Sequence, residues 1–185
     1  MQNKPTTANR TMVWLDIENL LLSLFPPHKR VQTRLDITPI KKALRQLTNV
    51  AAMYAYGDFS HLSYLFRCDV EQILRDLGII THHRRSIRGK NSADMAIATA
   101  IHIALVEHSD LSTVVIASGD SDFCPVAEYV RFLKKKMILI TPSYSSSRHL
   151  KELANRVIYL DSNWATTIKD QGQMPRTPKH ALSYQ

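Results

Sequence analysis

The chain has 185 residues, with 24 Lys and Arg against 16 Asp and Glu, giving a formal net charge of +8. That length suits one domain with a real core, and the basic balance favours a polyanionic partner. Cys68 and Cys124 form no CxxC pair, which excludes a thiolate zinc motif and fits a reducing compartment. The apolar run over residues 12–25 is broken by Asp16, Glu18 and Asn19, so it is neither a signal core nor a membrane span. The expected location is the cytoplasm.

Residues 1–11 are polar and read as a flexible N-terminus. Residues 12–17 form a first apolar strand ending at Asp16. Asn19 then opens a short helix that Pro26 and Pro27 stop. Residues 28–37 read as a loop. Thr38-Pro39 reads as an N-cap and an N1 proline, starting a helix to about residue 47. A second strand covers 50–56. Ser60 caps one long helix to residue 77, and Gly78 closes it. A third strand covers 79–81.

The segment from His82 to Lys90 is a basic loop. Asn91 then opens a helix to about His108 that is apolar almost all round, so it is expected to be buried on all sides. Strands follow at 113–117, 137–140 and 157–160, with helices at 125–133 and in 145–155. Lys134-Lys135-Lys136 matches a helix C-terminus. The alternation predicts a three-layer α/β/α sandwich with a mainly parallel central sheet. One domain spans 12–161, and residues 162–185 are an irregular C-terminal extension.

The stretch that concentrates chemistry runs from Thr113 to Pro125. Its β-branched run reads as a strand buried on both faces. It ends in Ser118-Gly119-Asp120-Ser121-Asp122, where open α/β sheets bind their ligands. Two readings stand side by side. Asp120 and Asp122 hold a hard cation, or the segment is a turn and helix cap. Asp16 ends the first strand, which is central in such sheets, so its carboxylate meets this crevice. Asp94 lies in the first turn of the apolar helix. It is either a fourth acid of the same crevice or a capping residue favoured by the helix dipole. Four converging carboxylates require a cation or raised pKa values, and the chemistry they suit is metal-assisted phosphodiester hydrolysis.

At these residues the chain resembles a known family. Asp16-x-x-Asn19 after the opening strand, Lys90-x-x-x-Asp94 opening a helix, and Ser118-Gly119-Asp120-Ser121-Asp122-Phe123 after the fourth strand resemble the NYN domain. The likeness is to the LabA-like branch of the PIN-like nuclease superfamily, over residues 12–161. It implies a Rossmann-like (PIN-like) fold and a magnesium- or manganese-dependent ribonuclease site. By position it carries catalytic and metal-binding roles to Asp16, Asp94 and Asp120, with Asp122 beside them. Asn19 and Ser118 would support the metal or its water. Many relatives carry a second acid further along the helix that begins at Asp94, where this chain has Thr99 and Ala100.

Arg84, Arg85, Arg88 and Lys90 directly precede Asp94 and would rim the crevice, holding RNA phosphates; the same run also reads as a solvated loop. His82 and His83 either stack on bases or do nothing. The expected function is a metal-dependent endoribonuclease with RNA as partner, no membrane, and room for a homodimer. The competing readings are a non-catalytic RNA-binding or regulatory module and a small-molecule phosphatase.

Overall fold

The computed structural model describes residues 9–25, 35, 37–84, 92–160 and, as backbone, 166–170. The strands are β1 (Arg10–Asp16), β2 (Val50–Gly57), β3 (Ile80–His83), β4 (Leu111–Ala117), β5 (Lys136–Pro142), β6 (Arg156–Leu160) and β7 (Thr166–Asp170). They form one sheet in the order β3-β2-β1-β4-β5-β6-β7. The first six are parallel, and β7 adds antiparallel to β6 at the edge. β1 and β4 lie side by side, Leu15 opposite Ala117, so their carboxyl ends open at one switch point.

Helices cover both faces. They are α1 (Ile17–Leu24), α2 (Thr38–Leu44), α3 (Phe59–Phe66), α4 (Val70–Arg75), α5 (Ser92–Glu107), α6 (Cys124–Phe132) and α7 (Arg148–Leu153), with a 3₁₀ turn at Ser121–Phe123. Successive residues of a strand point to opposite faces, so each strand feeds two cores. Val13, Leu15 and Val115 join Leu20, Leu21, Ile40, Leu62 and Leu74 under α1–α4. Met12, Trp14 and Ile116 join Ile97, Ile101, Phe123, Val130 and Leu150 under α5–α7. Each such fully buried side chain contributes roughly 1.5–3 kcal/mol of transfer free energy. This is why the middle strands are apolar without alternation.

The structure differs from the sequence reading in several places. The single helix expected over 60–77 is two helices. Arg67 ends α3 in the left-handed conformation at φ 51°, and Asp69 restarts the chain by accepting the Gln72 amide. Asp58, not Ser60, caps α3, and Asp16, not Asn19, begins α1. Ile37 occupies the N-cap of α2 without a side-chain cap bond, which places Thr38 inside the helix. The helix expected to be buried all round, α5, exposes Met95, Ile103 and Val106. Five residues of the extension read as irregular, Thr166–Asp170, form β7. Lys136 begins β5, placing the lysine triplet at the end of the sheet opposite the β4 carboxyl end.

Arg67 holds a conformation that costs a non-glycine residue about 1–2 kcal/mol. Arg67→Gly is therefore expected to raise stability by about 0.5–1 kcal/mol, since glycine's extra unfolded-state entropy offsets part of the gain. Urea denaturation checks this; an unchanged or lower midpoint at equal slope contradicts it.

Candidate metal centre

Asp16 is the last residue of β1 and the N-cap of α1. It is 4% exposed. Its Oδ1 accepts the Asn19 amide at 3.1 Å and its Oδ2 accepts the Ser118 hydroxyl at 3.0 Å. Asn19 reaches the next residue of the same turn, its Oδ1 accepting the Gly119 amide at 2.9 Å. Ser118 Oγ in turn accepts the Asp120 amide at 3.2 Å. The ends of β1 and β4 are thus laced by side chains from each.

Beyond Ser118 the chain turns. Asp120 caps the 3₁₀ turn, accepting the Asp122 amide at 3.0 Å. The cap reading holds for this segment and does not exclude the acidic-site reading, since a carboxylate that accepts one amide keeps an oxygen free to ligate. Gly119 is pressed against the turn after β5. A Cβ there would lie 2.9 Å from the Ser145 carbonyl oxygen and 3.3 Å from Ser146 Cα. The Gly119 carbonyl also accepts the Ser147 amide at 2.9 Å, and Ser147 caps α7. Only a residue without a side chain permits this approach.

Asp94, in the first turn of α5, completes the group. One carboxylate oxygen from each of Asp94, Asp120 and Asp122 lies within 4.8 Å of the others. Asp122 is exposed, and Asp94 and Asp120 are half-buried. Oxygens on opposite sides of an octahedral magnesium ion are ~4.2 Å apart, so small side-chain rotations bring these three into range. An all-carboxylate donor set suits a hard divalent cation and not a thiophilic one.

Asp16 stands next to this group rather than in it. Burial, above all, raises its pKa from the ordinary 3.8 to about 7; the Asn19 amide and Ser118 hydroxyl oppose the shift, while the Asp94 and Asp120 charges add to it. Without a cation each close carboxylate pair is repelled by roughly 1–3 kcal/mol, the dielectric setting the value.

The other residues singled out in the sequence fall as follows. Arg84 is exposed, and its amide donates to the Gly57 carbonyl at the end of β2. Arg85, Arg88 and Lys90 lie outside the described residues, as does Asn91. His82 stacks on Tyr56 with ring centroids 4.6 Å apart. Burial and then the Arg84 charge hold its pKa below 6.5. Thr99 is exposed, its hydroxyl donating to the Met95 carbonyl, and Ala100 packs against the core. Cys124 sits near Asp120 and Asp122. Burial pushes its thiol up, opposed by a Ser147 hydrogen bond and helped by the Glu128 and aspartate charges, so it is no nucleophile.

Sequence reasoning missed Glu18. Its Oε2 accepts the Asp58 amide at 3.3 Å and its Oε1 lies 3.4 Å from His61 Nδ1. It ties the end of β1 to that of β2. Its place at the first turn of α1 was the available signal, but the partner forty residues away was not visible in sequence.

The sign of the Asp16 effect on stability is fixed. A native pKa of about 7 against 3.8 means that the folded state keeps a proton the unfolded chain has released. Stability from this group is full below pH 3.8, falls as pH rises toward 7, and is then level. In metal-free protein, Asp16→Asn is therefore expected to be more stable than the parent at pH 8, by an amount on the order of 2 kcal/mol and below ~4. The advantage shrinks toward pH 4. Denaturation in chelator at both pH values checks this; a less stable variant at pH 8 contradicts it.

The comparisons with known proteins agree with this architecture. Over 90% of its length, the chain superposes on the whole of a Vibrio parahaemolyticus protein of unknown function, with 20% identity and a TM-score of 0.61. Weaker likenesses are to Acinetobacter baumannii MurG (12% identity, 80% of this chain and 40% of that one, TM-score 0.41), and to a Neisseria meningitidis UDP-GlcNAc 2-epimerase (12% identity, 80% and 39%, TM-score 0.40). No curated protein matches the chain significantly. The sequence model of the NYN domain matches residues 10–161, the stretch that builds the sheet from β1 to β6 and contributes Asp94, Asp120 and Asp122, so the chain belongs to the NYN domain family.

Proposed function

We propose that the chain is a magnesium- or manganese-dependent endoribonuclease of the LabA-like branch, cleaving RNA phosphodiester bonds at the acidic centre. The observation that carries this reading is the convergence of Asp94, Asp120 and Asp122 within 4.8 Å in a chain of net charge +8. A basic protein gathers acids at a sheet's ligand-binding end against Coulomb repulsion, which a cation relieves.

In this reading Asp94, Asp120 and Asp122 hold the ion, and Asp16 supports it from below or joins it on losing its proton. When bound, a divalent cation supplies Lewis-acid activation of the phosphodiester and of the attacking water. Asn19 and Ser118 are positioning residues: they fix Asp16 and the Gly119 turn and so set where the carboxylates stand. Arg84, with Arg85, Arg88 and Lys90, binds phosphates along the rim. Among the described residues no helix is long and apolar enough to cross a membrane, which fits work on RNA in the cytoplasm.

A second reading, an RNA-binding or regulatory module without turnover, is favoured by one observation. Ala100 packs against the core in the region where many relatives carry a further acid, and both Asp16 oxygens already have protein partners.

The expected result is manganese- or magnesium-stimulated cleavage of RNA that falls at least ~100-fold, about 3 kcal/mol, in Asp120→Asn and Asp94→Asn. Lys135→Ala, at the opposite end of the sheet, leaves the rate unchanged. Gel assays over a metal titration, with calorimetric manganese binding on the same variants, separate the readings. Metal and RNA binding without cleavage supports the regulatory module. Cleavage that persists in chelator and in both aspartate variants ends the nuclease proposal.

A further inference from the structure

Helix α5 is apolar almost all round, yet among the described residues only its inner side is covered. Ala93, Ile97, Ile101, Ala104 and Leu105 are buried in the core against α6 and the sheet. On the outer side Met95, Thr99, His102 and Val106 fall at i, i+4, i+7 and i+11, which is one helical stripe. Met95 is 71% exposed, Val106 78%, and Ile103 beside them 49%. From Met95 to Val106 the helix carries no Asp, Glu, Lys or Arg. The stripe continues onto α6, where the His102 ring stacks on Tyr129 at 4.8 Å and Tyr129 on Phe132 at 6.5 Å. Phe132 is itself 78% exposed.

We propose that this face joins two copies of the chain about a two-fold axis, with their α5 helices antiparallel. Three observations favour a second copy over another occupant. The first is area. The four large apolar side chains present roughly 500 Å² to solvent, at the top of the range of the largest patch on a monomer. Doubled by symmetry and bordered by His102, Thr99 and Tyr129, the patch passes the ~1,000 Å² that a specific interface needs. The second is charge. Two copies that each carry +8 repel wherever basic surfaces meet, whereas the stripe from Met95 to Val106 carries no Asp, Glu, Lys or Arg; the like charges the pairing brings near, Asp94 and the partner's Glu107, lie at its two ends. RNA, by contrast, is drawn to cations that the stripe lacks.

The third is register. A crossing centred between Ala100 and Ile101 sets Met95 against the partner's Val106, Thr99 against the partner's His102, and Ala98 against the partner's Ile103. Large residues meet small ones on a self-complementary surface, as an isologous interface requires. Aromatic and Met side chains with few charges also match the make-up of interface cores. The arrangement leaves catalysis free. A helix of 16 residues is ~24 Å long, so the acidic centres at the two N-terminal ends stand at opposite ends of the pair and open outward. The proposal does not rest on the nuclease reading.

Multi-angle light scattering of the full chain at micromolar concentration is expected to give twice 21.1 kDa. Met95→Asp and Val106→Asp alter exposed side chains and leave the fold intact by circular dichroism. Each buries an unpaired carboxylate against an apolar residue of the other copy, twice per dimer, and is expected to weaken association at least ~100-fold, giving monomers. A Thr99→Cys/His102→Cys double variant is expected to form a disulfide-linked dimer on oxidation. A dimer mass unmoved by both aspartate variants overturns the proposal, as does a monomeric parent protein. In that monomer, loss of RNA affinity in Phe132→Ala would assign the face to nucleic acid. Loss of thermal stability in Met95→Asp would assign it to another segment of the same chain.

Discussion

The centre depends on one contact set: the buried Asp16 carboxylate, held between the Asn19 amide and the Ser118 hydroxyl. The first caps α1 locally; the second joins the ends of β1 and β4, which are neighbours in the sheet but about a hundred residues apart in sequence. With the Asn19 bond to the Gly119 amide, they fix the direction in which the chain leaves β4. Asp120 and Asp122 follow within three residues, so their position is inherited from that lacing. A short polar link between two rigid strand ends places carboxylates more tightly than a free loop does, because few backbone torsions separate the anchor from the ligand atoms.

The same contact set carries an electrostatic consequence. A carboxylate that is 4% exposed and faces Asp94 and Asp120 is disfavoured as an anion. Fold and site therefore oppose each other at Asp16: the hydrogen bonds that orient it sit where its charge is least welcome. Strain of this kind marks functional sites. In the proposed nuclease this gives a division of labour, in which exposed cations gather the RNA and the carboxylates act on it.

Helix α5 serves both the acidic centre and the exposed apolar face. Its first turn supplies Asp94, its inner side packs against the sheet and α6, and its outer side is left apolar. Ala100, half-buried, packs against the core beneath α5. Whatever covers the outer side of α5 also bears on how firmly Asp94 is held, since one rigid helix carries both.

Much of this was written in the order of residues. Pattern alone determined a βα alternation, hence a parallel sheet with β1 at its middle, because β-branched runs between amphipathic segments have few other ways to be buried. It also marked Asp16, Asp94, Asp120 and Asp122, since acids at strand and helix ends stand out against apolar neighbours. Tertiary structure alone decided the rest. Asp16 became a buried, doubly bonded support beside the other three because Ser118 arrives from the neighbouring strand end while the Asn19 amide caps α1. The break at Arg67, the edge strand β7 and the bare side of α5 were equally beyond reach, since propensity and periodicity report which residues avoid water and not which neighbour will cover them.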